Sequence, residues 1–118
     1  MAAFKLRLQL VQGEDFHKRF TWKTGTPALP VDLTGCTARM HMRASIDSPT
    51  VLLGLSTDDG TITLGGTAGT VDMDLTNVVT AAVSWTSAVY DLEIVFPSGQ
   101  VRRLLKGPVA VDREVTRA

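Results

Sequence analysis

The sequence predicts an all-β fold, a sandwich or a barrel, carrying one short helix. Apolar and polar residues alternate with period two along most of the chain, the pattern of half-buried strands. Turn signals built on Gly, Pro and Asp punctuate it at roughly ten-residue spacing. The long helices that doubly wound or ferredoxin-like folds require are missing from the pattern.

Composition agrees. The 118 residues suit one domain, 1–118. Hydrophobic residues make up 44%, charged residues 20%, and the formal net charge is zero. That excludes a disordered chain and a polyanion binder driven by net charge. The single cysteine, Cys36, excludes an intrachain disulfide and a multi-cysteine zinc site. Gly, Thr and Pro interrupt the uncharged stretches, so no segment reads as a membrane span. The start of the chain, Met1 to Lys5, lacks the apolar run of a signal peptide.

The first strand takes Phe4, Leu6, Leu8 and Leu10 inward and Lys5, Arg7 and Gln9 to water. Gly13 breaks it. In the second, Phe16, Phe20 and Trp22 share one face, and Lys18 is the misfit on it; a bulge or an edge position would relieve that. Residues 24–30 form a loop fixed by Gly25, Pro27 and Pro30. Cys36, Ala38, Met40, Met42 and Ala44 then alternate with Thr37, Arg39, His41 and Arg43, the clearest strand in the chain.

Residues 51–55 and 61–64 read as a hairpin across Asp58-Asp59-Gly60. Residues 65–69 are the next turn, followed by Val71, Met73 and Leu75 alternating with Asp72 and Asp74. Thr76 can cap a two-turn helix over residues 77–83, with its Val-Val and Ala-Ala pairs facing the core. Residues 87–96 form a long strand, turned by Pro97-Ser98-Gly99 into 100–106, and a last short strand covers 109–111. The polar tail 112–118 is expected to be mobile.

The expected core is Phe4, Leu6, Leu8, Phe20, Trp22, Ala38, Met40, Met42, Val71, Met73, Leu92, Ile94 and Phe96. In the last hairpin, pairing Phe96 with Val101 sets Leu92 opposite Leu105, Asp91 opposite Lys106 and Ile94 opposite Arg103. That register cancels charge across the ladder but strands Arg103 on the apolar face.

Charge is unevenly spread. Residues 1–45 carry seven bases and three acids, residues 46–99 seven acids and no base, and residues 100–118 five bases and two acids. Two readings follow. Basic and acidic strands cancel locally across the sheets, or the subunit is dipolar and packs head-to-tail on copies of itself.

No residue set carries chemistry. His17 and His41 have no second ligand and no nucleophile at a meaningful spacing. Cys36 reads as a buried structural thiol. The Asp58-Asp59 and Asp72/Asp74 pairs lack the oxygen count and spacing of a calcium loop. The glycines at 65–69 lack the lysine of a phosphate-binding loop. Phe16, Phe20 and Trp22 share a core face rather than offering a stacking platform for nucleic acid. The reading is therefore no catalytic residue, no cofactor, no metal and no nucleic-acid partner. The candidate interface residues are Trp85, Arg39, Arg43, Asp58 and Asp59.

A resemblance goes further. The string Val31-Asp32-Leu33-Thr34-Gly35-Cys36-Thr37-Ala38-Arg39-Met40 resembles a strand motif of small tailed-bacteriophage virion proteins. So do Leu53-Gly54-Leu55-Ser56-Thr57 with the Gly60-Thr61-Ile62 turn, the strand Val89-Tyr90-Asp91-Leu92-Glu93-Ile94, and the return strand from Ser98 to Gly107. Their order covers residues 10–116 and is similar to the N-terminal Ig-like domain of phage baseplate upper proteins. The resemblance implies an Ig-like antiparallel β-sandwich with no catalytic residues. It implies a virion structural component, an assembly adaptor in the tail, baseplate or fibre-attachment region, made in the bacterial host cytoplasm. Its partners would be other virion proteins and copies of itself. The alternatives are a capsid decoration protein, or a host-surface carbohydrate-binding adhesion module using Trp85, Asp58 and Asp59.

Overall fold

The structure, a computed structural model, describes residues 3–116. Its strands are β1 (Phe4–Lys5), β2 (Leu8–Val11), β3 (Phe16–Thr21), β4 (Lys23–Thr24), β5 (Leu29–Pro30), β6 (Thr37–Arg43), β7 (Leu53–Ser56), β8 (Ile62–Leu64), β9 (Thr70–Leu75), β10 (Ser87–Val95) and β11 (Val101–Asp112). One short helix, α1 (Asn77–Ala81), joins β9 to β10. The larger sheet has the order β1-β11-β10-β6-β7, with β2 also on β11; the smaller is β3-β9-β8. This is an Ig-like β-sandwich: β11-β10-β6-β7 follows the G-F-C-C′ order and β3-β9-β8 the B-E-D order.

Alternation builds both layers. Along β6, Ala38, Met40 and Met42 are buried while Thr37, Arg39 and His41 face water. Along β10, Ala88, Tyr90, Leu92 and Ile94 point inward. They meet Val71, Met73 and Leu75 of β9 and Ile62 of β8 in one core. Trp22 closes one end of that core, its ring 6.3 Å from Phe96 and 5.9 Å from the Arg102 guanidinium.

Several expectations are corrected. The sandwich is not wholly antiparallel, because β1 and β2 both run parallel to β11. The first strand is broken at Leu6-Arg7, where the backbone crosses Gly107; any side chain there would collide with the Leu6 carbonyl. Phe4 is consequently 40% exposed, and Leu6, Phe20 and Phe96 are only partly buried. Lys18 sits on the inner face without a bulge, since the β3–β9 register is unbroken; β3 is an edge strand, and that relieves it.

Residues 51–64 do not form a hairpin. β7 pairs with β6 and β8 with β9, so the Asp58-Asp59-Gly60 turn crosses between sheets. Within the 24–30 loop, β4 and β5 pair as a small ribbon. In α1 Thr80 is fully buried and Val79 packs partly buried against the core, while Val78 is 74% exposed and the Ala81-Ala82 pair faces water. The separate last strand is the end of β11, which runs unbroken through Pro108. Of the tail, Glu114 is tied by its N–H to Gln12 Oε1 at 3.0 Å. Residues 117–118, like Met1 and Ala2, lie outside the described residues.

The last hairpin is half as expected. Leu92 pairs with Leu105 and Asp91 with Lys106, but Ile94 pairs with Arg102 and Glu93 with Arg103. A bulge between Leu92 and Glu93 absorbs Leu104 as the extra residue. Leu104 and Leu105 are both buried as a result. Arg103 moves to the outer face.

Candidate functional site

The outer face of the larger sheet is built from the polar positions of three adjacent strands. β6 contributes Arg39, His41 and Arg43, β10 contributes Asp91 and Glu93, and β11 contributes Arg103 and Lys106. The ladder sets Arg39 beside Glu93 and His41 beside Asp91. On the other flank Asp91 meets Lys106, and Glu93 meets Arg103. The face is thus an acidic stripe between two basic ones. Arg39 Nε reaches Glu93 Oε1 at 2.9 Å, and Arg103 Nε lies 3.5 Å from Asp91 Oδ2. Arg43 donates to the Ser48 carbonyl at 3.0 Å, which holds the β6–β7 loop.

The outer face of the smaller sheet repeats this. Arg19 makes two bonds to the Asp72 carboxylate, at 2.7 and 2.9 Å. They hold the Asp72 carboxyl below its ordinary range. His17 Nδ1 is 2.6 Å from Asp74 Oδ1. In three of these pairs an arginine from residues 1–45 or 100–118 meets an acid from residues 46–99. Across these ladders the uneven charge of the sequence is paired locally, as the first of the two readings expects.

A second surface lies at the side of the sandwich, between the edges β2 and β3. A groove of about 310 Å³ opens there, lined by Arg7, Leu8, Gln9 and Val11 on one wall and by residues 14–18 on the other. Outside its lining, Phe4 packs on Phe20 with ring centroids 5.4 Å apart. Within it, Asp15 accepts hydrogen bonds from the Asn77 backbone N–H at 2.8 Å and side-chain amide at 3.2 Å. The sequence signal for this groove was Lys18, a charge on an apolar face.

The candidate interface residues do not converge. Arg39 and Arg43 share the outer face of β6. Asp59 is committed to its own turn, accepting from the Thr61 hydroxyl and from the Thr61 N–H at 2.9 Å, and those bonds hold its carboxyl low. Asp58 is exposed beside it. Trp85 is half-buried, packed against the core between α1 and β10. Asp91, Glu93, Arg103 and the Arg7–Lys18 groove were not among those candidates; strand pairing sets the first three side by side, and the packing of β2 and β3 from different sheets forms the groove. Cys36 is half-buried rather than buried, and burial pushes its thiol up, away from thiolate chemistry. Among the described residues no group of three or more His, Cys, Asp or Glu is placed to hold a metal ion. No helix among them is long and apolar enough to cross a membrane.

Compared with known proteins, the chain matches no family model and no curated protein.

Proposed function

We propose that this chain is a non-enzymatic structural component of a tailed-phage virion, an assembly adaptor of the tail, baseplate or fibre-attachment region. One observation carries the reading. Of the segments that bear the resemblance, 31–40, 53–57, 89–94 and 98–107 run into or along β6, β7, β10 and β11, four neighbouring strands of one sheet, while 60–62 leads into β8 of the other. The likeness thus follows a contiguous scaffold whose outer face presents ordered, paired charge. Such a face favours register and partner selection over raw affinity.

The adhesion alternative finds less support. Trp85 is packed against the core rather than offered to a sugar, and Asp59 is committed to its own turn. The test is composition of the particle. Density-gradient-purified virions should contain the chain at a fixed ratio to the other tail proteins. Its absence from particles, with the free protein binding glycans on an array, would replace this reading with the adhesion module.

A further inference from the structure

The smaller sheet is missing a strand. In a constant-type Ig sandwich the first strand lies beside the B strand. Here both N-terminal segments, β1 and β2, lie on β11 instead. Among the described residues the B-position strand, β3, therefore pairs only with β9 and keeps one open edge.

The ladder shows which groups face that edge. Asp74 sends its N–H away from β3, to the Thr61 carbonyl at 2.9 Å. Its partner across the β3–β9 ladder is His17. Antiparallel pairs alternate between bonded and non-bonded, so His17 and Asp74 form a non-bonded pair. On the opposite phase, the Trp22 N–H bonds toward β9, to Gly69 at 2.8 Å. By alternation His17 and Arg19 turn their N–H and C=O outward, to the open edge.

Charge decides what the edge accepts. Phe16, Lys18 and Phe20 are the inward residues of β3, each partly buried. Lys18 and Arg7 both line the groove, and neither has a carboxylate within salt-bridge distance among the described residues. The groove's acids, Glu14 and Asp15, lie in the turn before β3, and Asp15 is engaged by Asn77. An inward lysine on an edge strand repels apolar strands and guards against aggregation. The same lysine selects for a strand that carries a carboxylate opposite it.

We propose that the open edge of β3 accepts an extended segment of a partner virion protein by strand addition. The segment has a carboxylate facing Lys18 and an apolar side chain two residues to either side, packing near Phe16 and Phe20. A second copy's β3 supplies no carboxylate, because its inward residues are Phe16, Lys18 and Phe20 and each antiparallel register sets Lys18 toward lysine or phenylalanine. The groove volume is at the small end of ligand pockets, which run from about 300 to 1,000 Å³, and suits a few side chains rather than a folded element. The partner's identity rests on the assembly reading above; the chemistry of the edge does not.

The experiment titrates capped heptapeptides Thr-Val-Thr-X-Thr-Val-Thr, with X as Glu, Val or Lys, into the full chain and follows backbone amide shifts. The Glu peptide should bind best and the Lys peptide worst, with shifts centred on His17 and Arg19. Lys18→Glu should reverse the order, changing the Glu-to-Lys preference by about five- to tenfold, as expected for cross-strand charge pairs. His17→Pro removes the edge N–H and should abolish binding, whereas His17→Ala should retain it. An absence of binding, or a ranking unmoved by Lys18→Glu, overturns the proposal and leaves Lys18 as a guard only. Binding by a chain that purified particles lack would overturn the virion reading and leave the edge site standing.

Discussion

The hydroxyl of Tyr90 donates a 2.6 Å hydrogen bond to the carbonyl oxygen of Leu6, 84 residues earlier in the chain. Tyr90 pairs with Gly107 across the β10–β11 ladder. The bare Cα of Gly107 lets the Leu6 backbone cross at that point, within reach of the phenol. The Leu6 N–H bonds the Lys106 carbonyl at 2.9 Å, so the break between β1 and β2 is held from both sides. Tyr90, Leu6 and Gly107 thus fasten the N-terminal strand to β11 and keep it off β3.

Tyr90 is the only tyrosine, which makes its ionisation directly readable. Burial pushes the phenol well above its ordinary value of 10.0. Folding therefore favours the neutral form. That stabilisation is complete below pH 10 and is lost as pH climbs toward the folded value. Absorbance at the phenolate band should rise only together with loss of the folded circular dichroism signal. Phenolate appearing near pH 10 in the folded protein would show an accessible hydroxyl. Tyr90→Phe should cost about 0.5–1.5 kcal/mol, the worth of one hydrogen bond.

Gly107→Ala should be worse than an ordinary strand substitution. Its methyl group meets Leu6 backbone rather than a movable side chain. The expected loss is about 1–3 kcal/mol, typical of overpacking, measured by denaturant midpoint. Amides of β1 and β2 should lose exchange protection first. A midpoint equal to wild type would contradict the close crossing.

The bulge at Leu104 predicts two equivalent core positions side by side. Leu104→Ala and Leu105→Ala should each cost about 2–5 kcal/mol. A regular strand would bury only one of them, and the other substitution would be nearly silent.

A buried polar latch ties α1 to the β2–β3 turn. Thr80 Oγ1 donates to the Glu14 carbonyl at 2.8 Å and accepts from the Gly13 N–H at 3.2 Å. Gln12 donates to the Val83 carbonyl at 2.9 Å. Thr80→Val keeps the shape and removes both Thr80 bonds, leaving buried groups unpaired at about 1–3 kcal/mol. Calorimetry on this variant, with Val78→Thr as the exposed control, separates the latch from helix propensity.

Asp72→Asn should destabilise modestly at neutral pH, by about 0.2–1 kcal/mol for a surface pair. The Arg19 hydrogen bonds hold the Asp72 carboxyl below its ordinary 3.8, so its contribution is present above that pH. The difference from wild type should vanish as acidity carries the protein through the folded value. A gap that persists in acid would point to packing, not charge.

Alternation made β6, β9 and β10 legible from sequence, since a period of two with one apolar face has a single reading. Thr76 as helix cap was legible too: its hydroxyl accepts from the Val79 N–H at 3.5 Å. The misreadings share one cause. Asp58-Asp59-Gly60 announces a turn, yet turn chemistry is local and does not say whether the next strand joins the same sheet. The adjacent Leu104-Leu105 pair and the stranded Arg103 signalled an irregularity near the last hairpin, but not that a bulge would resolve both.

By itself, then, the sequence determined the strands, their buried faces and the turns, because pleat geometry and glycine conformations act over a few residues. Tertiary structure decided which edges met. The break at Leu6, the parallel pairing on β11 and the open edge of β3 depend on backbone contacts between residues about a hundred positions apart. So does the charge pairing of Asp72, Asp91 and Glu93, since each met its arginine only when distant strands were brought alongside one another.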